Sequence, residues 1–151
     1  MKNSLAGVTT AERVDVFATV ASEELVTSPF TGRRAAAIVV DLFERVAPLE
    51  HEVGRAILGD TLVLDADGGA LVVVARRASF AFVSDGETGA LGGAPAELAF
   101  LLARAKGRGP LVWREHLVAR GMRLRVRGLV TPSSAGRFTC DALAIVEPVL
   151  T

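Results

Sequence analysis

One cysteine, no tyrosine and no net charge set the first limits on this 151-residue chain. The lone Cys140 allows no intramolecular disulfide and no cysteine-based metal knuckle. Aromatics make up only 5% of residues, so a core has to be assembled from Val, Leu, Ile and Ala. Seventeen basic and seventeen acidic side chains cancel, which removes the overall attraction on which a polyanion-binding protein relies. No apolar run approaches the roughly 20 residues that span a bilayer. The longest, 35–40 and 98–103, are core-sized. Residues 1–11 lack the apolar stretch of a signal peptide, so the expected location is the cytoplasm.

What is present is hydrophobic matter in quantity. Half the residues are apolar, far from the low hydrophobicity and high charge of a disordered chain. The length suits one domain with a sizeable core. We expect that domain at 12–151, with 1–11 a loose lead-in. Charge is unevenly spread. Residues 41–67 hold seven acids against two arginines, and 104–127 hold eight bases against Glu115 alone. Such segments either compensate each other within the fold or promote head-to-tail self-association.

Along the chain, 13–20 alternates with period two, placing Val14, Val16, Ala18 and Val20 on one face of a half-buried strand. A second strand is expected at 37–45, then a loop at 47–54 containing Pro48. Residues 57–64 and 70–75 flank Asp65-Ala66-Asp67-Gly68-Gly69, whose Asp and Gly residues supply the positive φ angles of a tight hairpin. Residues 85–93 read as a flexible glycine-rich loop. A helix is signalled at 95–106. It has Pro95 at its first turn, Glu97 at its positive end, Arg104 and Lys106 at the other, and Gly107 as a stop. Strands follow at 111–114, 124–130 and 138–146, the last closed by Pro148. Strands, one helix, then strands predicts a mainly β, OB-like antiparallel barrel of about six strands, with the helix over one end. The expected core is Val14, Val16, Ile38, Val40, Leu62, Leu64, Leu98, Leu102, Leu124, Val126 and Ile145.

Three motifs have a familiar order. Ser28-Pro29-Phe30-Thr31-Gly32-Arg33 precedes a strand, and Leu62 to Gly69 forms the hairpin. Glu115, Val118, Gly121, Leu124, Val126 and Gly128 then lead into a late strand. Together, over 12–147, they resemble the GIDE domain of membrane-anchored mitochondrial ubiquitin ligases and many bacterial proteins. The resemblance implies an OB-like barrel that serves as an interaction module. Ubiquitin transfer in those ligases belongs to a separate zinc-binding RING. One Cys and two His cannot supply that RING, so ligase activity does not carry over. The family's transmembrane helices have no counterpart here, and Met122 stands where the family often has Asp.

Candidate chemistry is thin. Glu50-His51-Glu52 offers metal-ligand types, but without His at helical i, i+4 spacing. Asp65-Ala66-Asp67-Gly68 begins like a calcium loop, yet Gly69 and Arg76 fall where oxygen ligands belong. The glycines of 86–93 lack the Lys-Ser or Lys-Thr of a phosphate loop, and no serine sits in a Gly-x-Ser-x-Gly setting. Neither an enzyme nor a cofactor is expected. The reading is a non-catalytic protein-interaction module, self-association being one form it can take. The surfaces singled out are Ser28, Pro29, Phe30 and Arg33 in the first turn and the stripe Arg123, Arg125, Arg127. The alternative is single-stranded nucleic-acid binding through that stripe, with Trp113, Phe17 and Phe138 as stacking platforms. Zero net charge and the scarcity of platforms rank it second.

Overall fold

The protein is described from a computed structural model, over residues 1–147. Pro148, expected to close the last strand, lies outside the described residues.

The expected alternation builds β1 (Glu12–Val20), whose Val14, Val16, Ala18 and Val20 are all buried. The Asp-Gly hairpin joins β6 (Thr61–Ala66) to β7 (Gly69–Val74). A second hairpin joins β11 (Arg123–Ser134) to β12 (Arg137–Val146). These five strands close on themselves in the order β11-β1-β6-β7-β12, because β11 pairs with both β1 and β12. The result is the expected OB-like barrel, which leaves no free edge. It is not wholly antiparallel. A closed ring with an odd number of strands cannot alternate direction throughout, and the parallel pair is β7 with β12. The short β8 (Phe80–Ala81) adds to β12, also in parallel, which gives a six-stranded sheet.

Beside the barrel stands a second sheet that the sequence reading did not foresee. Its order is β5-β4-β10-β9, formed by β4 (Ala37–Val46), β5 (Leu49–Leu58), β9 (Glu87–Ala90) and β10 (Leu111–Val118). Residues 47–54, expected as a loop, instead turn at Pro48 and enter β5. Residues 87–90, expected as flexible loop, form the edge strand β9. The ribbon of β2 (Val26–Thr27) and β3 (Arg34–Ala35) holds the Ser28 turn at its tip.

Strand β4 explains the layering. Its residues 37–42 are buried on both faces. Ala37 and Val39 join the barrel core, while Ile38, Val40 and Leu42 join a second core with Leu98 and Leu101. A strand covered on both sides reads as a continuous apolar run rather than an alternation, which is the pattern of 35–40.

The helix is shorter than expected. A 3-10 turn at Ala96–Leu98 leads into α1 (Ala99–Leu102), a single turn of α-helix. It packs on β5 in the second core rather than over a barrel end. Leu98 and Leu101 are its buried residues, whereas Leu102, expected in the core, is only partly buried. The other ten expected core residues are buried. A barrel end is filled instead by the N-terminal segment, so 1–11 is not a loose lead-in. Leu5 is 1% exposed, its N–H donates to Asp67 O at 2.8 Å, and Ser4 Oγ donates to Asp67 Oδ2 at 2.9 Å. No helix among the described residues is long and apolar enough to cross a membrane.

Candidate functional site

The Ser28 turn is fastened inward. Ser28 Oγ accepts from the N–H groups of Phe30 (3.0 Å) and Thr31 (3.2 Å), an arrangement that shapes the turn locally. Its own hydroxyl donates to Glu115 Oε2 on β10, while Thr31 Oγ1 donates to Glu115 Oε1 at 2.9 Å. Glu115 is buried, and these two hydroxyls satisfy its carboxylate. Phe30 stacks on Trp113 at 4.5 Å, and Arg33 pairs with Glu87 at 2.6 Å. Ser28 is itself buried, so of the four residues singled out here only Pro29 and Arg33 are exposed to a partner. The turn is a clamp between the β2–β3 ribbon and the second sheet.

Two glycines of 86–93 serve the same packing. Gly86 has φ +71°, and a Cβ there would collide with Glu115 O. At Gly89 a Cβ would lie 2.7 Å from the Trp113 ring. Gly86 also lies against His116, whose ring stacks on Phe82 at 4.3 Å. His116 Nε2 lies 2.9 Å from Ser84 O and therefore carries the proton as donor. Its Nδ1 is a buried acceptor with no partner among the described residues.

The arginine stripe is different. Strand β11 alternates buried Leu124 and Val126 with exposed Arg123, Arg125 and Arg127, so all three guanidinium groups stand on the outer barrel face. The neighbouring β1 runs antiparallel and presents Asp15 and Phe17 there, in register with Arg127 and Arg125. Arg125 donates to both Asp15 oxygens, from Nε at 2.8 Å and from Nη2 at 2.7 Å, and Arg127 Nε adds a third bond at 3.1 Å. Arg123 lies over the Phe17 ring, 4.7 Å from its centre. These hydrogen bonds, the Arg125 one foremost, pull the Asp15 carboxyl down to about 2. The stripe is thus ordered by Asp15 and Phe17 and not by the acids of 41–67, several of which have partners of their own. Asp41 binds Arg55 at 2.7 Å, Glu50 binds Arg45 at 3.0 Å, and Glu44 accepts from the backbone N–H of Lys106 (2.7 Å) and Arg108 (2.6 Å). Those two amide bonds hold the Glu44 carboxyl below its ordinary value.

The surface that remains is a ridge of three guanidinium groups, two on the Asp15 carboxylate and one over the Phe17 ring. Phe17 is 47% exposed at its centre and Leu129 is exposed further along β11. Asp15 was missed from the sequence, and Phe17 was considered there only as a stacking platform for nucleic acid, although the outward phase of both on β1 was legible. What was lacking was the pairing of β1 with β11. Two of the three stacking platforms are taken, Trp113 by Phe30 and Phe138 by burial in the barrel, and Phe17 is partly covered by Arg123. Cys140 is also inside, its thiol pushed up to about 11 by burial and then by Asp141. Among the described residues no three His, Cys, Asp or Glu side chains gather as a metal site. No family model, curated protein or solved structure matches this chain.

Proposed function

We propose that this chain is a protein-interaction module whose binding surface is the outer face of β1 and β11, and that it works without catalysis, in the cytoplasm. The observation that carries the reading is the ordered ridge of Arg123, Arg125 and Arg127 around Asp15 and Phe17. Arginine and aromatic side chains dominate the energetics of protein interfaces. Here the guanidinium groups are already held in place, so less side-chain entropy is lost on binding. The resemblance of the Ser28, Asp65 and Glu115 motifs to the GIDE domain supports the same role.

The candidate nucleophiles and bases are engaged elsewhere, which favours binding over catalysis. Ser28 donates to Glu115, the Cys140 thiol stays protonated, and His116 is stacked and tied to Ser84. Single-stranded nucleic acid ranks second. The face of β6 and β7, which OB barrels commonly use for it, borders a cleft lined by Glu23, Glu24 and Asp65.

The test is affinity capture from the source cell with the native chain and with R123A/R125A/R127A. Each recovered protein is then purified and its binding measured by calorimetry. The expected result is a binary complex that the triple variant weakens at least tenfold. The reading is overturned by turnover of a small substrate that one His or carboxylate substitution abolishes. Submicromolar oligonucleotide binding with a steep salt slope, lost in the triple variant, would transfer the ridge to the second reading.

A further inference from the structure

Two surfaces of opposite sign stand on the barrel. On β1 and β11 stands the ridge, where Arg125 and Arg127 share the Asp15 carboxylate and Arg123 lies over Phe17. On β6, β7 and the segment after β1 lies a cleft of about 530 Å³, lined by Ser22, Glu23, Glu24, Val63, Asp65 and Arg137 among others. Among the described residues, Glu23, Glu24 and Asp65 form no ion pair within 4 Å. The ridge carries three arginines against Asp15 alone, beside an exposed Phe17. The cleft carries three acids against Arg137 alone, with Val63 in its wall. The two are complementary in charge.

We infer that the partner of the ridge is a second copy of this chain, whose acidic cleft receives Arg123, Arg125 and Arg127. This rests on the interaction-module reading and names its partner. Thr19 of β1 is in register with both Asp65 of the cleft and Arg123 of the ridge, so the two faces adjoin across β1, yet among the described residues no ion pair joins them within the chain. The contact pairs unlike faces of two copies, either reciprocally in a dimer or head to tail in a chain or ring. Exposed charges at the contact steer the encounter and make it sensitive to salt. Phe17, beside Arg123, is the apolar centre that enters against Val63.

Sedimentation velocity on the full chain, over a concentration series at low and at high salt, tests this. The expected result is a sedimentation coefficient that rises with concentration at low salt and returns to the monomer value at high salt. R123E/R125E/R127E has two acidic faces and E23R/E24R/D65R two basic ones, so each alone is expected to be monomeric. Their equimolar mixture is expected to assemble again, because each then offers the other a complementary face. Circular dichroism confirms folding, and the milder pair R123E and E24R, which leaves the Asp15–Arg125 contact intact, replaces the triples if either unfolds. A native chain that stays monomeric at every concentration and salt overturns the inference, as does assembly indifferent to both substitutions or a mixture that fails to reassemble. If the native chain is monomeric yet still forms an arginine-dependent complex with a captured protein, self-docking fails while the interaction-module reading stands. Loss of both results removes the two together.

Discussion

Asp15 shows how one side chain can order a surface. Its two oxygens hold Arg125 by both nitrogens and Arg127 by one, and the carboxyl is drawn below its usual 3.8 to about 2. A depressed folded-state value means that the charged form is the one stabilised. The contribution is therefore complete above about pH 4 and fades as pH falls through about 2. We expect D15N to lower stability by about 1 kcal/mol at neutral pH, the scale of a partly exposed ion pair. The gap between native and variant urea midpoints should close on acidification through that window. A gap that persists below about pH 2 would show that the carboxylate's charge is not the cause. Glu115 is a contrasting case, because it is buried and serves the fold. In E115A the hydroxyls of Ser28 and Thr31 lose their acceptor. Unsatisfied buried polar groups and lost charge-assisted bonds should together cost about 2–4 kcal/mol. Denaturant melts measure this, and Trp113 fluorescence should shift as Phe30 leaves its stack. Nothing in the Ser28 turn announced Glu115, because the two lie 87 residues apart and only the fold joins them.

At the scale of elements, β4 and α1 show what a one-dimensional pattern conveys and what it conceals. Alternation in β1 and β11 was legible because each faces solvent on one side. The apolar run of β4 was legible as core, but not as a strand lying between two cores. Its partner β5 was concealed by Pro48 and by the charges of Glu50, His51 and Glu52, which suit the exposed edge of a sheet as well as a loop. The signals for a helix at 95–106 were sound as local chemistry and were overridden at their end. Glu44 takes the backbone N–H groups of Lys106 and Arg108, which draws the chain away toward β10 after one α turn. The burial stripe shifts accordingly, to Leu98 and Leu101. L101A should cost about 2–5 kcal/mol through lost transfer energy and a cavity against Ile38, Val40 and Leu42. L102A should cost clearly less. Equal losses in chemical denaturation would mean that the helix sits on the second sheet in another rotation.

For the whole molecule, the decisive fact is closure of the barrel, and closure needs its ends filled. The strands that close it were legible one by one, while the joining of β7 to β12 in parallel was not, since no local pattern encodes a partner 67 residues away. The lead-in was misread for a related reason. Met1 to Ala11 carries no periodicity, yet Leu5 and Val8 enter the barrel core and Lys2 bridges to Val14. Isolated apolar residues in an irregular segment gain meaning only when a cavity exists to receive them. The N–H of Leu5 bonds to Asp67 O in the β6–β7 turn, so the plug is tied to the opposite hairpin by backbone as well as by packing. L5A should therefore destabilise the chain by about 2–5 kcal/mol, as a fully buried leucine in the main core does. Removal of 1–8 should cost at least as much and speed hydrogen exchange in β6, β7 and the start of β1. Exchange in the second core, around Leu98 and Leu101, should change far less at low denaturant, because its side chains form a separate cluster that meets the plug's core along β4. A loss below about 0.5 kcal/mol for L5A would mean that the barrel closes without this segment, and that its end is sealed by the hairpins alone.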